Sequence, residues 1–278
     1  MDLIDHEVRF FTNLARKKLK KNYTKNEIVF FKKFKKFKFK KKKIIEYFKV
    51  CKLKKIILRP LTFNTENLYF DQVKNIKKEF IDYTKIPNKI LIEESLSIPS
   101  FSLISYKKIK YLISKYNHFE INLWWYDKTS VKKKIIEMYK KLFIEIGKKK
   151  NPYLCIEQTS FINTKHLPLY NEIIKIINLK RFNNINILLP AFSRLQCFHD
   201  HSLFPGHKKI MKRKKTYFIT SAAYSYKQWS KLLGIVYGHK KLLYGSDHPF
   251  NDLKSVEMYN YFFKSKYQTV FKLGSKKF

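Results

Sequence analysis

Short apolar runs alternate with longer amphipathic stretches along most of the chain. The apolar runs are Leu3–Phe10, Ile56–Leu58, Ile90–Ile92, Phe119–Trp125, Tyr153–Ile156, Ile185–Leu189, Tyr217–Thr220 and Lys241–Tyr244. Between them lie helical patterns at Glu66–Tyr83, Ser105–Tyr116, Val131–Ile146, Leu167–Asn178, Tyr226–Val236 and Leu253–Phe263. Strand-like runs that alternate with helical ones predict βαβ units and a parallel sheet. The runs are almost continuously apolar, as in strands buried on both faces. Eight such units in 278 residues match the arithmetic of a (β/α)₈ barrel. An open, doubly wound sheet has the same periodicity and stays open as the alternative.

Composition removes several classes. A hydrophobic fraction of 45% and an aromatic fraction of 17% exclude a disordered polycation. Six Gly and eight Pro exclude a collagen-like chain or a linker. No apolar run is long enough to cross a bilayer as a helix. Neither a Gly-x-Gly-x-x-Gly nor a P-loop pattern is present.

The charge changes the picture more. Sixty Lys and Arg against 21 Asp and Glu leave a formal net charge of +39. Only Arg9, Arg16, Arg59, Arg181, Arg194 and Arg213 are arginines. Lys, Asn, Ile, Phe and Tyr, all written with A/T-rich codons, are inflated. Codon drift in an A+T-rich genome, of a reduced symbiont or an organelle, explains a diffuse lysine background. A surface selected for nucleic acid favours arginine. The charge is nevertheless uneven: residues 1–59 hold 21 basic and 5 acidic side chains, and so 16 of the 39 net charges. Residues 16–58 read as a Lys-rich helical insertion after strand one, within a single domain spanning 1–278. Its centre, Lys32–Lys43, interleaves nine lysines with Phe34, Phe37 and Phe39. That is either a solvated helix face or a basic patch that contacts RNA or an anionic surface.

The N-terminus carries Asp2, Asp5 and Glu7 and lacks a signal-type apolar core. Cys51, Cys155 and Cys197 show no disulfide or metal spacing. The expectation is a reducing compartment, either the cytoplasm of a symbiont or an organelle matrix, and no transmembrane segment.

In a barrel, chemistry gathers at the C-terminal ends of the strands. Those ends read Asp5, Glu7 and Arg9; Arg59; Glu93 and Glu94; Asn122 and Asp127; Glu157, Gln158 and Thr159; Ser193 and Arg194; Thr220 and Ser221; and Tyr244 to Phe250. In the last, a buried strand runs into Gly245-Ser246-Asp247-His248-Pro249. Asp247 is suited to be a general base or a metal ligand. It is equally suited to cap the following turn.

The stretch "TYFITSAAYSYKQWSKLLGIVYGHKKLLYGSDHPF" resembles the closing third of the amidohydrolase superfamily, in its amidohydrolase-related branch. "LIDHEVRF" resembles the family's opening Ile-Asp-x-His-x-His strand. "KKIILRPLTFNTENLYFD" and "FNNINILLPAFS" resemble its second and sixth strands. The resemblance is specific at 216–250 and pattern-level elsewhere. It implies a barrel enzyme whose divalent metals are held by two His on strand one, His on strands five and six, and Asp on strand eight. Here those positions read Glu7 and Arg9, Glu157 or Gln158, Ala191 and Asp247. Oxygen ligands could come from Glu7, Glu157 and Asp247, but Arg9 opposes a cation. No cofactor is therefore assigned, and Asp247 counts as a metal ligand only if a metal is bound.

Two functions remain open. One is a hydrolase or related lyase for a small acidic or cyclic substrate at the barrel mouth, metal-independent or catalytically degenerate, with Asp247 as base and Glu7, Arg9, Arg59, Glu157 and His248 holding the substrate. The other is a non-enzymatic basic barrel that binds RNA through 16–58 or serves as a structural subunit of an organellar assembly such as a mitochondrial ribosome. His199, Asp200, His201 and His207 read as a solvated loop, or alternatively as metal ligands or proton carriers. Trp124 and Trp125 read as core or pocket wall, or alternatively as a stacking platform for bases.

Overall fold

The computed structural model describes residues 3–19, 41–60, 65–123, 129–157, 166–190, 207–220 and 239–246. Eight strands follow one another in space in chain order, and every pair between neighbours is parallel. They are β1 (Leu3–Phe10), β2 (Leu53–Pro60), β3 (Leu91–Ser97), β4 (His118–Asn122), β5 (Tyr153–Glu157), β6 (Asn186–Pro190), β7 (Thr216–Ile219) and β8 (Leu242–Leu243). The helices among the described residues are α1 (Asn13–Leu19), α2 (Lys41–Val50), α3 (Glu66–Thr84), α4 (Tyr106–Ile113), α5 (Lys133–Gly147), α6 (Leu167–Ile177) and α7 (His207–Lys212).

Order alone does not close a barrel; the seam between β8 and β1 decides it. The His6 amide donates to the Tyr244 carbonyl at 2.9 Å. The Ser246 amide donates to Asp5 Oδ1 at 2.9 Å, and Ser246 Oγ to the Glu7 carbonyl at 3.3 Å. The last strand thus returns to the first, and the sheet forms a near-closed barrel rather than the open alternative. Gly245 permits this approach. A Cβ there would collide with Ile219 Cγ2 and sit 3.2 Å from Glu7 Cβ.

Strand alternation sorts the side chains into two environments. Ile56, Leu58, Ile92, Leu96, Phe119, Ile121, Leu154, Ile187 and Phe218 face the helices and form the main core. The inward set on the β5–β8 side is a second apolar cluster of Tyr153, Cys155, Leu188, Tyr217, Ile219 and Leu243. On the β1–β5 side the barrel lumen is ionic.

The helices form for ordinary reasons. In α3 the buried residues Leu68, Tyr69, Gln72, Ile76 and Phe80 recur at helical spacing. That helix ends where Lys85 turns left-handed at φ 50° and its amide bonds back to the Ile81 carbonyl. Pro168 sits in the first turn of α6, where no amide is needed.

Parts of the 16–58 stretch are integral to the barrel. It contains α2, whose Tyr47 and Phe48 are buried in the main core, and the start of β2. Residues 20–40, including Phe34, Phe37 and Phe39, lie outside the described residues. So do the helical patterns at Tyr226–Val236 and Leu253–Phe263. Cys51 and Cys155 are buried. Among the described residues no helix is long and apolar enough to cross a membrane.

Candidate active site

Register explains which side chains meet inside the barrel. Asp5 pairs with Ile56 and Val8 with Leu58, so His6 and Glu7 together stand opposite Ile57. Two residues against one is a β-bulge. It changes the phase of the strand. Val8 and Phe10 face the helices, and Glu7 and Arg9 project into the lumen. Without the bulge Asp5, Glu7 and Arg9 would share one face. The expectation that Asp5 belongs to the mouth is therefore corrected. Asp5 points toward the helix layer, where Tyr47 Oη donates to its Oδ2 at 2.5 Å. Its Oδ1 accepts the Glu7 and Ser246 amides at 3.0 and 2.9 Å. Burial nevertheless raises its pKa to about 6, against the lowering effect of those hydrogen bonds.

Arg9 is the centre of the lumen cluster. Its Nη2 donates to Glu7 Oε1 at 2.6 Å and to Glu157 Oε2 at 2.8 Å. Its Nη1 lies 2.6 Å from Glu120 Oε1. Glu7 is on β1, Glu120 on β4 and Glu157 on β5, so one guanidinium ties three strands together. Arg9, Glu7 and Glu120 are each at most 2% exposed; Glu157 is 17% exposed. Asn122 Nδ2 donates to Glu157 Oε2 and, at 3.4 Å, to Glu120 Oε1.

The registered neighbour of Arg9 on β2 is Arg59. Its Nε donates to the His6 carbonyl at 2.8 Å, and its Nη1 lies 3.8 Å from Glu120 Oε2. Arg59 is fully buried, and among the described residues neither of its Nη atoms has a hydrogen-bond partner. Two guanidiniums against three carboxylates leave the cluster one negative charge in excess. Such a group is tolerable only because its geometry is tight and its members are held by strands.

A second ionic group sits lower in the lumen, at the N-terminal end of the strands. Glu93 accepts from Lys55 Nζ at 2.5 Å and lies 3.0 Å from His118 Nε2. The His118 ring stacks on Tyr153 at 4.9 Å. The hydrogen bond to His118, with Lys55 in support, lowers the Glu93 pKa to about 2. Burial lowers the His118 pKa, and Arg59 and Lys55 add to that; Glu93 pulls the other way. A neutral His118 that donates Nε2–H to an ionised Glu93 satisfies both directions. His6 is also buried in the neutral direction, chiefly by desolvation and then by His118 and Arg59.

The strand-end reading thus meets the structure unevenly. Glu7, Arg9, Arg59 and Glu157 come together. Glu93 and Glu94, expected at the end of strand three, lie early in β3, which runs on to Ser97. Glu93 therefore belongs to the floor, and Glu94 takes the opposite, outer phase. Asp247, His248, Ala191, Gln158, Trp124, Trp125 and the His199–His201 loop lie outside the described residues; His207 opens α7. Glu120 was missed because the apolar run around it hides a lone acid. The signal was the alternation His118-x-Glu120-x-Asn122, three polar residues in the inward phase.

The family resemblance implies a divalent metal at this mouth. The described side chains do not fit one. The carboxylates that would supply oxygen ligands are engaged with a guanidinium that is always charged. Among the described residues no group of three His, Cys, Asp or Glu is arranged to hold a metal ion.

No family model matches the sequence, and no curated protein matches it. Solved structures do. A Staphylococcus aureus protein classed with the amidohydrolases superposes with a TM-score of 0.62, 10% identity, and coverage of 99% of this chain and 97% of the other. The fold is that of the amidohydrolase-superfamily barrels. A 2,6-dihydroxybenzoate decarboxylase solved with 2,6-dihydroxybenzoate matches at a TM-score of 0.63 and 8% identity, with the same coverage. The 5-carboxyvanillate decarboxylase of Novosphingobium aromaticivorans, complexed with manganese and 4-hydroxy-3-methoxy-5-nitrobenzoic acid, matches at 0.62 and 11%, covering 99% and 94%. Amidohydrolase-type structural neighbours thus include lyases of small aromatic acids.

Proposed function

We propose that this chain is an amidohydrolase-type hydrolase or related lyase acting on a small acidic or cyclic substrate at the barrel mouth. The observation that carries the reading is the convergence of Glu7, Arg9, Arg59, Glu120 and Glu157 at the C-terminal ends of β1, β2, β4 and β5 in a barrel of that fold. Asp247 is the general base. It follows Ser246, a buried residue pinned to Asp5 and Glu7 through its amide and hydroxyl. Arg59 is the group best suited to a substrate carboxylate, because its two Nη atoms have donors to spare. Arg9 acts with Glu7 and Glu157 to hold the electrostatics of the site, and His248 stands beside the base in sequence. The neighbours' aromatic acids make benzoate-type carboxylic acids the first substrates to try, with cyclic esters as the cyclic alternative. The reading goes with a single domain over 1–278, in which the basic stretch 16–58 carries α2 and the start of β2.

The test is turnover of that panel by the purified chain, with release of CO₂ and ring opening measured in parallel. Asp247→Asn is expected to lower kcat/KM by about 10²–10⁴, the usual size of a general-base contribution. Parent-level turnover by the variant would sink the assignment.

A second reading, an RNA-binding barrel, has one structural observation in its favour. Lys107, Lys110, Lys148 and Lys149 line a surface groove of about 580 Å³ between α4 and α5. Affinity for RNA that falls steeply with added salt would favour it.

A further inference from the structure

We propose that the Arg9 guanidinium is the resident cation of this barrel, standing where a divalent metal would otherwise bind and excluding one. Three observations meet here. The position that the resemblance makes a metal-binding histidine on strand one is Arg9, at the inward phase of β1. The acidic side chains around it are drawn to its two Nη atoms: Glu120 to one, Glu7 and Glu157 to the other, all at 2.6–2.8 Å. Arg9 and Arg59 together offset all but one of the three carboxylate charges, so little attraction remains for a second cation.

The geometry is that of a guanidinium rather than of an ion. Three oxygens spread along a planar fork do not share one centre, and a metal needs oxygens gathered about a single point. A divalent ion placed among them would also face the fixed positive charge of Arg9 in a site that is almost wholly buried. A guanidinium cannot lose its proton near neutral pH, so the neutralisation is permanent and independent of metal supply. The inference deepens the reading of the mouth as the site, since it names the cation that the site uses. It stands apart from substrate turnover, because it is tested with no substrate at all.

The experiment is metal binding by the untagged full chain. Protein stripped with EDTA is dialysed against Mn²⁺ or Zn²⁺, bound metal is counted by mass spectrometry, and thermal melting is followed in parallel. For the parent, the expected result is well under one equivalent of either metal and a melting temperature that neither EDTA nor metal moves. Arg9→Met leaves Glu7, Glu120 and Glu157 facing one another. It is expected to melt lower than the parent, to bind Mn²⁺ at least tenfold more tightly, and to recover part of the loss when Mn²⁺ is added. Arg9→His, which supplies a neutral ligand, is expected to gain a metal in the same way.

One equivalent held by the parent and lost in Glu157→Gln would overturn the proposal. So would Arg9→Met and Arg9→His variants that fold and take up no metal. An equivalent that survives Glu157→Gln would overturn it as well if Glu7→Gln or Glu120→Gln removes it. If neither Arg9 variant folds, the metal count of the parent and of Glu157→Gln decides alone. Loss of turnover in Asp247→Asn without any change in these counts would keep the two proposals separate.

Discussion

Among the described residues the lumen holds two ionic groups that differ in almost everything but location. At the floor, Glu93 is 37% exposed and meets a flexible lysine and a neutral histidine. At the mouth, Arg9, Glu7 and Glu120 are essentially sealed from water. The floor pair can trade its partners for solvent. The mouth cluster cannot, so removing a guanidinium leaves uncompensated carboxylate charge behind. Barrels of this architecture place chemistry at the C-terminal ends of the strands and stability at the other. The contrast here follows that division, with the costly arrangement kept at the end where function sits.

The largest effect falls at the centre of the mouth. Arg9→Met should lower unfolding free energy in urea by about 3–5 kcal/mol, the usual loss when a buried pair loses one partner. A loss below about 1 kcal/mol, the scale of an exposed pair, would mean that the mouth is as solvated as the floor.

The wall beside the mouth comes next. Buried Asp5 has a folded pKa near 6, against 3.8 for the ordinary group. Between those values the folded state binds more protons than the unfolded one, so stability falls as pH rises through that window. The full shift corresponds to about 3 kcal/mol at 1.36 per unit. Asp5→Asn should flatten denaturation midpoints between pH 4 and about 6. It should also raise stability at pH 7, where the parent carries a buried carboxylate. A parent whose stability is level across that window would sink the argument.

The smallest effect belongs to the floor. Glu93→Gln should cost less than about 1 kcal/mol, since the pair is partly exposed. The sign of its pH dependence is opposite to that of Asp5. The Glu93 pKa is depressed to about 2, so its contribution is full above the ordinary 4.5 and is lost as pH falls toward 2. His118, whose pKa is lowered, adds to the loss below 6.5, because only the unfolded state takes up its proton there. Acid melts of Glu93→Gln should therefore be shallower than those of the parent below pH 4.5.

Much of the barrel was legible in the residues. Runs such as "YLCIE" and "NILLP" are buried on both faces and read directly as strands of a covered parallel sheet. The helical stripes at Glu66–Thr84 and Leu167–Ile177 read almost to the residue. β3 was truncated because Glu93 and Glu94 interrupt its apolar run, and a charged residue inside a barrel looks like a strand end. Glu120 was hidden for the same reason, with the opposite outcome: one acid inside an apolar stretch looks like noise. Glu7, Arg9, Arg59 and Glu157 were placed near strand ends because strand ends are set by local pattern, and the barrel brings these side chains together.

The phase of those residues was another matter. By itself, the sequence determined the eight units along the chain and the polar groups available near each end. These follow from period and burial, which neighbours along the chain decide. Only the tertiary structure decided that the β1 bulge turns Asp5 outward, that β8 returns to β1 across Gly245, and that Glu7, Glu120 and Glu157 close on one guanidinium. Each of these depends on register between strands far apart in the chain, and a shift of one residue moves a side chain to the opposite face.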